Sequence, residues 1–155
     1  MINLPSEKRI FAENIIKKLI DKPLELLFFT PTKKGIKLEN KIPYKSGFYL
    51  LSEKDLFGIS YIYCGSAGLN GRKKNNIHNR IYRFGKTLLA KNRTDEDHPA
   101  AEKYRNEGNY YKLYFQYLLI EEIDFYIPVN INISSFDEIL SSLLKVKYNI
   151  KGIKK

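Results

Sequence analysis

The sequence predicts an α+β fold, a small and mostly antiparallel β-sheet flanked by helices, with an added N-terminal helix and hairpin. Three observations carry this expectation. Residues 46–51 ("SGFYLL") and 59–64 ("ISYIYC") are neighbouring runs rich in aromatic and β-branched side chains, so they pair as an antiparallel hairpin across "EKDLFG". Residues 77–90 then change to a helical period, with Ile77, Ile81, Phe84 and Leu88 facing inward. A strand-like run at 110–120 ("YYKLYFQYLLI") and an amphipathic run at 136–148 ("FDEILSSLLKVKY") close the pattern.

The elements follow in order. After Pro5-Ser6, Ile10, Ile15, Ile16, Leu19 and Ile20 recur at roughly helical spacing, and Pro23 ends that helix. Residues 24–30 ("LELLFFT") form a strand, "PTKKG" a turn and "IKLEN" the return strand. Tyr61 and Tyr63, two residues apart, point to the same face of their strand. "GSAGLNGRKKNN" is a Gly/Asn-rich loop, and Gly85 weakens the helix that follows it. Residues 97–107 make a second helix with Pro99 near its start and Gly108 at its end. Residues 124–133 read as an edge or irregular strand because Pro128 cannot donate to a ladder. Ser134 or Ser135 caps the last helix, whose apolar side holds Phe136, Ile139, Leu140, Leu143 and Leu144.

The 155 residues suit one domain, and 43% hydrophobic content supplies a core. A net charge of +10 points to a polyanionic partner, most simply nucleic acid. The lone Cys64 excludes an internal disulfide or a cysteine zinc site and fits a reducing, cytoplasmic setting. No apolar run approaches the roughly 20 residues that span a bilayer. No Walker loop, HExxH or GxGxxG is present, Ser66 is not in a GxSxG elbow, and His78 and His98 form no recognisable pair.

Three features could carry chemistry. Between Gly71 and Arg93 lie Arg72, Lys73, Lys74, Arg80, Arg83, Lys86, Lys91 and Arg93, with no acid among them, a composition suited to phosphate. Tyr49 and Tyr63 sit within two residues of a glycine on adjacent strands, where a phenol can face a cleft. Five carboxylates, Glu121, Glu122, Asp124, Asp137 and Glu138, could each serve a magnesium ion, which needs only one or two of them. The residues alone leave that choice open.

In order, Gly47-Phe48-Tyr49, Tyr63-Cys64-Gly65-Ser66, an arginine in the next helix, and a glutamate and asparagine in a later helix resemble the GIY-YIG nuclease superfamily, most of all its type II restriction endonucleases. Phe48 and Cys64 replace isoleucines at buried strand positions, a mild departure. The resemblance covers residues 46–152 and leaves residues 1–45 as an extension. It implies a metal-dependent endonuclease hydrolysing phosphodiester bonds in double-stranded DNA at specific sites. Tyr49 and Tyr63 match the motif tyrosines, Arg80 the helix arginine and Glu138 the metal-binding glutamate, which would hold one Mg²⁺ or Mn²⁺ per active site; Glu122 takes that role if a helix starts at Glu121. Lys73 or Lys74, with Lys73 preferred, resembles the extra lysine of the restriction branch; Lys73 and the metal-bound phosphate together would lower the pKa of Tyr63 so that it deprotonates water. Phe84 stands where many members have His or Tyr. Arg72, Lys74, Arg83, Lys86 and Asn149 are the implied DNA contacts. A homodimer, with the N-terminal helix as interface, would cut both strands. A non-catalytic nucleic-acid-binding domain and a homing or repair nuclease are the alternatives.

Overall fold

The structure, a computed structural model, describes residues 7–33, 35–68, 75–89, 98–106, 112–125, 127 and 133–148, without the side chains of 133–136. It is α+β, as expected. The elements are α1 (Glu7–Ile20), β1 (Glu25–Leu26), β2 (Phe29–Thr32), β3 (Gly35–Leu38), β4 (Gly47–Asp55), β5 (Gly58–Ala67), α2 (Ile77–Leu89), α3 (Pro99–Asn106), β6 (Tyr114–Leu119) and α4 (Ile133–Leu144). An antiparallel four-stranded sheet has the order β1-β6-β4-β5, and β2 and β3 form a separate hairpin.

β4 is the centre of the molecule. Its first six residues are buried without alternation because the sheet is covered on both faces. Tyr49 and Leu51 join the α2 and α3 side with Ile77, Ile81, Phe84 and Tyr104. Phe48 and Leu50 join the α1 and α4 side with Phe11, Ile15, Leu19 and Leu140. The helix α1 therefore spends its apolar stripe (Phe11, Ala12, Ile15, Leu19) inside the molecule, while Ile10 and Ile20 stay exposed.

Several local expectations are corrected. The run 24–30 is not one strand. Asn40 donates to the Leu26 carbonyl and accepts from the Phe28 N–H, taking over hydrogen bonds at the point where the chain leaves β1 for β2. The central hairpin has no long loop. Its strands continue to a two-residue turn at Leu56-Phe57, closed by a Phe57 N–H bond to the Asp55 carboxylate and by Gly58 at φ +130°. Tyr61 and Tyr63 do not share a face. The register slips between Leu51↔Tyr63 and Ser52↔Tyr61, so Ile62 is an extra residue in β5. Tyr63 joins one core and Tyr61 packs against the other.

The run 110–120 contributes β6, which gives way at Ile120 to a single 3₁₀ turn whose Glu122 carboxylate accepts from the Leu119 N–H. The last helix starts at Ile133, so Ser134 and Ser135 lie within its first turn rather than ahead of it. Most of the 124–133 strand falls outside the described residues.

Gly85 has a use that helix propensity hides. A Cβ there would overlap the Phe29 ring, so the missing side chain lets the β2–β3 hairpin seat on α2. We expect Gly85→Ala to destabilise the fold by about 1–3 kcal/mol through overpacking, despite Ala's better helix propensity. In a Phe29→Ala background the same change becomes neutral or stabilising by up to about 1 kcal/mol. Urea denaturation checks this; equal effects in both backgrounds would contradict it.

Candidate active site

The site forms where β4 and β5 run beside α2. Tyr49 pairs with Gly65 across the ladder. A Cβ on Gly65 would stand 2.8 Å from the Tyr49 hydroxyl and 2.9 Å from Cζ, so the phenol lies over a bare backbone. Tyr63 pairs with Leu51 in the same unbroken stretch of ladder and so lies on the same side, where the two rings stand 6.0 Å apart at 44°. On α2, Asn76 accepts from the Asn79 N–H as the N-terminal cap. Arg80 follows in the first turn, beside the inward stripe of Ile77, Ile81 and Phe84. Its guanidinium faces the Tyr49 phenol at interaction range, without the geometry of a formed hydrogen bond.

Two further groups complete the cluster. Asp137, in the first turns of α4, accepts a 2.8 Å hydrogen bond from Ser66 of β5. His98 precedes α3 and lies edge-on to Tyr63 at 4.9 Å and to Phe84 at 5.1 Å. Its backbone N–H donates to Thr87, and its Nδ1 accepts from the Ala101 N–H, which leaves the ring proton on Nε2.

The electrostatics are those of a dry pocket. Burial raises the Tyr49 pKa, and Arg80 offsets only part of that rise. Burial and then Tyr49 push Tyr63 well above 10 in the free protein; the lowering expected from Lys73 and a metal-bound phosphate involves a residue outside the described ones. Burial, with the positive charges of Arg80 and Arg83, lowers His98 to about 3 and keeps it neutral. Tyr49 raises the pKa of Arg80 against the cost of burial, so Arg80 stays a cation. Burial raises Asp137 from an ordinary 3.8 to about 6, although Ser66 and Arg80 oppose the shift.

Three polar atoms in this pocket are buried and have no hydrogen-bond partner among the described residues: Tyr49 Oη, Arg80 Nε and His98 Nε2. All three can donate: Arg80 Nε and His98 Nε2 carry protons, and Tyr49 holds its own. Such groups cost about 1–3 kcal/mol each when left unmade, and few survive in native structures without a reason.

The anticipated residues divide. Tyr49, Tyr63 and Arg80 come together. Glu138 does not join them: it is exposed, about 100° round α4 from Asp137. Asp137, one residue earlier, takes the place inside. Glu122 lies at the far end of β6, bonded to Lys22; although partial burial opposes it, hydrogen bonds from Lys22 and Leu119 hold it below the ordinary carboxylate range. Arg83 is half-buried and Lys86 exposed on α2. Lys73, Arg72, Lys74 and Asn149 lie outside the described residues. His98 was missed because its partners are remote in sequence; its place before Pro99 at a helix start was the available signal.

Asp137 is also where a cation would fit. Its carboxyl is under-compensated by Arg80, and it and the Ser66 hydroxyl are hard oxygen donors suited to Mg²⁺ or Mn²⁺. No group of three or more His, Cys, Asp or Glu surrounds it among the described residues. No protein-family model, curated protein or solved structure matches the chain.

The Asp137 shift carries a pH signature. Because its folded pKa is above the unfolded one, its contribution to stability is full below about 3.8 and is lost as pH rises through about 6. Asp137→Asn should therefore match wild type near pH 4 and exceed it by about 3 kcal/mol near pH 8. The difference between the two proteins cancels His98, which pulls in the opposite direction. Chemical denaturation at both pH values checks this; a variant less stable than wild type near pH 8 contradicts it.

Proposed function

We propose that the chain is a metal-dependent DNA endonuclease that hydrolyses phosphodiester bonds in double-stranded DNA, of the site-specific restriction type, working in the cytoplasm. The observation that carries this reading is that Tyr49 Oη, Arg80 Nε and His98 Nε2, in one buried cluster beside the under-compensated Asp137 carboxyl, have no hydrogen-bond partner among the described residues. A phosphoryl group answers those needs: its oxygens accept from all three donors, and its charge is matched by Arg80.

The residues divide the work. Arg80 binds the phosphoryl oxygens and stabilises the charge that builds on them. Tyr49 and the neutral His98 donate hydrogen bonds to the same oxygens. Tyr63, which keeps its proton, orients the water or an oxygen of the scissile bond as a donor. Asp137, steadied by Ser66, holds Mg²⁺ or Mn²⁺, which when bound supplies Lewis-acid charge and an activated water. Cutting both strands calls for two copies of the chain, and Ile10 and Ile20 remain exposed on α1 for such a contact.

One observation favours a second reading. Tyr49 and Tyr63 are 0% and 1% exposed, as core tyrosines are, so both serve packing and the basic side of α2 binds nucleic acid without turnover, a nucleic-acid-binding domain.

A plasmid digest with and without Mg²⁺ separates the two. We expect discrete, metal-dependent bands, with Arg80→Ala and Asp137→Ala each slowing cleavage about 100-fold or more and Glu138→Ala slowing it less. Greater loss at Glu138 than at Asp137 would return the metal to Glu138. Intact unmethylated plasmid under every condition would favour the binding domain.

A further inference from the structure

We propose that Tyr44 and His78 form a stacking shelf for one unpaired base of a DNA strand that crosses the outer ridge of α2. The shelf rests on the nucleic-acid reading above and adds to it a preference for locally opened DNA.

Tyr44 is 67% exposed, unusual for a ring held in a fixed stack. Its ring lies on His78 at 4.0 Å and 26°, and Tyr82, one helical turn on, is near-parallel to His78 at 15°. The segment that carries Tyr44 is anchored. Ile42 is buried, Pro43 stiffens the backbone, and the Lys45 carbonyl accepts from the Ile77 N–H at the start of α2. Tyr44 and His78 together line a shallow groove of about 630 Å³ with Lys41, Tyr117 and Leu119. Nothing in the core requires Tyr44 to be aromatic, because it buries little.

Charge selects the occupant. α2 holds Arg80, Arg83 and Lys86 and no acid. At the groove's margin, Glu121 is paired with Lys45 and Glu122 with Lys22. At 100° per residue, Arg80 and Arg83 lie on one flank of α2, His78 and Tyr82 on the other, and Asn79 and Lys86 on the ridge between. Lys86 is exposed on that ridge, so one strand that crosses it can place a phosphate at Lys86 and a base on Tyr44. Stacking accepts any base, because every base has a π-face, and it requires that base to be unpaired.

The test measures anisotropy with labelled single-stranded and duplex oligonucleotides of one sequence, using wild type, Tyr44→Ala and Tyr44→Phe. We expect Tyr44→Ala to weaken single-strand binding about 10-fold, to change duplex binding less than about 2-fold, and Tyr44→Phe to restore it. A 2-aminopurine in the strand should be quenched by wild type and not by Tyr44→Ala. Wild-type binding that Tyr44→Ala leaves unchanged, or weakens equally for both oligonucleotides, overturns the shelf alone. No binding of either oligonucleotide by wild type overturns the nucleic-acid reading and the shelf with it.

Discussion

The Tyr49 phenol lies across Gly65, and much of the molecule is arranged around that contact. β4 carries Tyr49 through the middle of the sheet, buried on both faces. Its neighbour in the ladder has no side chain, so the ring can lie down rather than stand. The hydroxyl then faces Arg80 on α2. A Cβ at residue 65 would meet the hydroxyl, Cζ and Cε1 together, and a buried ring in a close-packed core has little room to move aside. The Tyr-Cys-Gly run thus reads as a geometric device: one tyrosine to present, and one glycine to make space for another.

The bulge at Ile62 does complementary work. Without it, strict alternation would place Tyr61 and Tyr63 on one face and leave the pairing of β5 with β4 in simple register. Tyr63 keeps the Tyr49 side through its pairing with Leu51, and the extra residue sends Tyr61 to the opposite core. Tyr49 and Tyr63 end in a space where burial dominates their chemistry. The same dryness keeps His98 neutral and raises Asp137, and three polar atoms there have no partner among the described residues. A low-dielectric pocket makes each of those groups costly when unpaired and strong once an anion arrives.

Much of this was legible in the sequence. The aromatic runs of β4 and β5 and the Ile77, Ile81, Phe84, Leu88 stripe of α2 announced a hairpin and an amphipathic helix, and a resemblance alone suggested grouping Tyr49, Tyr63 and Arg80. What stayed hidden depends on contacts remote in the chain. The split of 24–30 needs Asn40, and the turn at Leu56-Phe57 needs the side chain of Asp55. The choice of Asp137 over Glu138 depends on the rotation of α4 about its axis, which a helix start misplaced by a few residues cannot supply. His98 gave no local sign of its role, since its neighbours Tyr63, Phe84 and Ala101 come from three elements.

The central claim is that the buried polar atoms of Tyr49, Arg80 and His98 await a phosphate. The most direct measurement follows the ¹⁵N resonances of Arg80 Nε and His98 Nε2 while a duplex with a hydrolysis-resistant phosphorothioate linkage is added. The account predicts that both shift together and saturate at one DNA concentration. Saturable binding seen at other residues, with Arg80 Nε and His98 Nε2 unmoved, would contradict it.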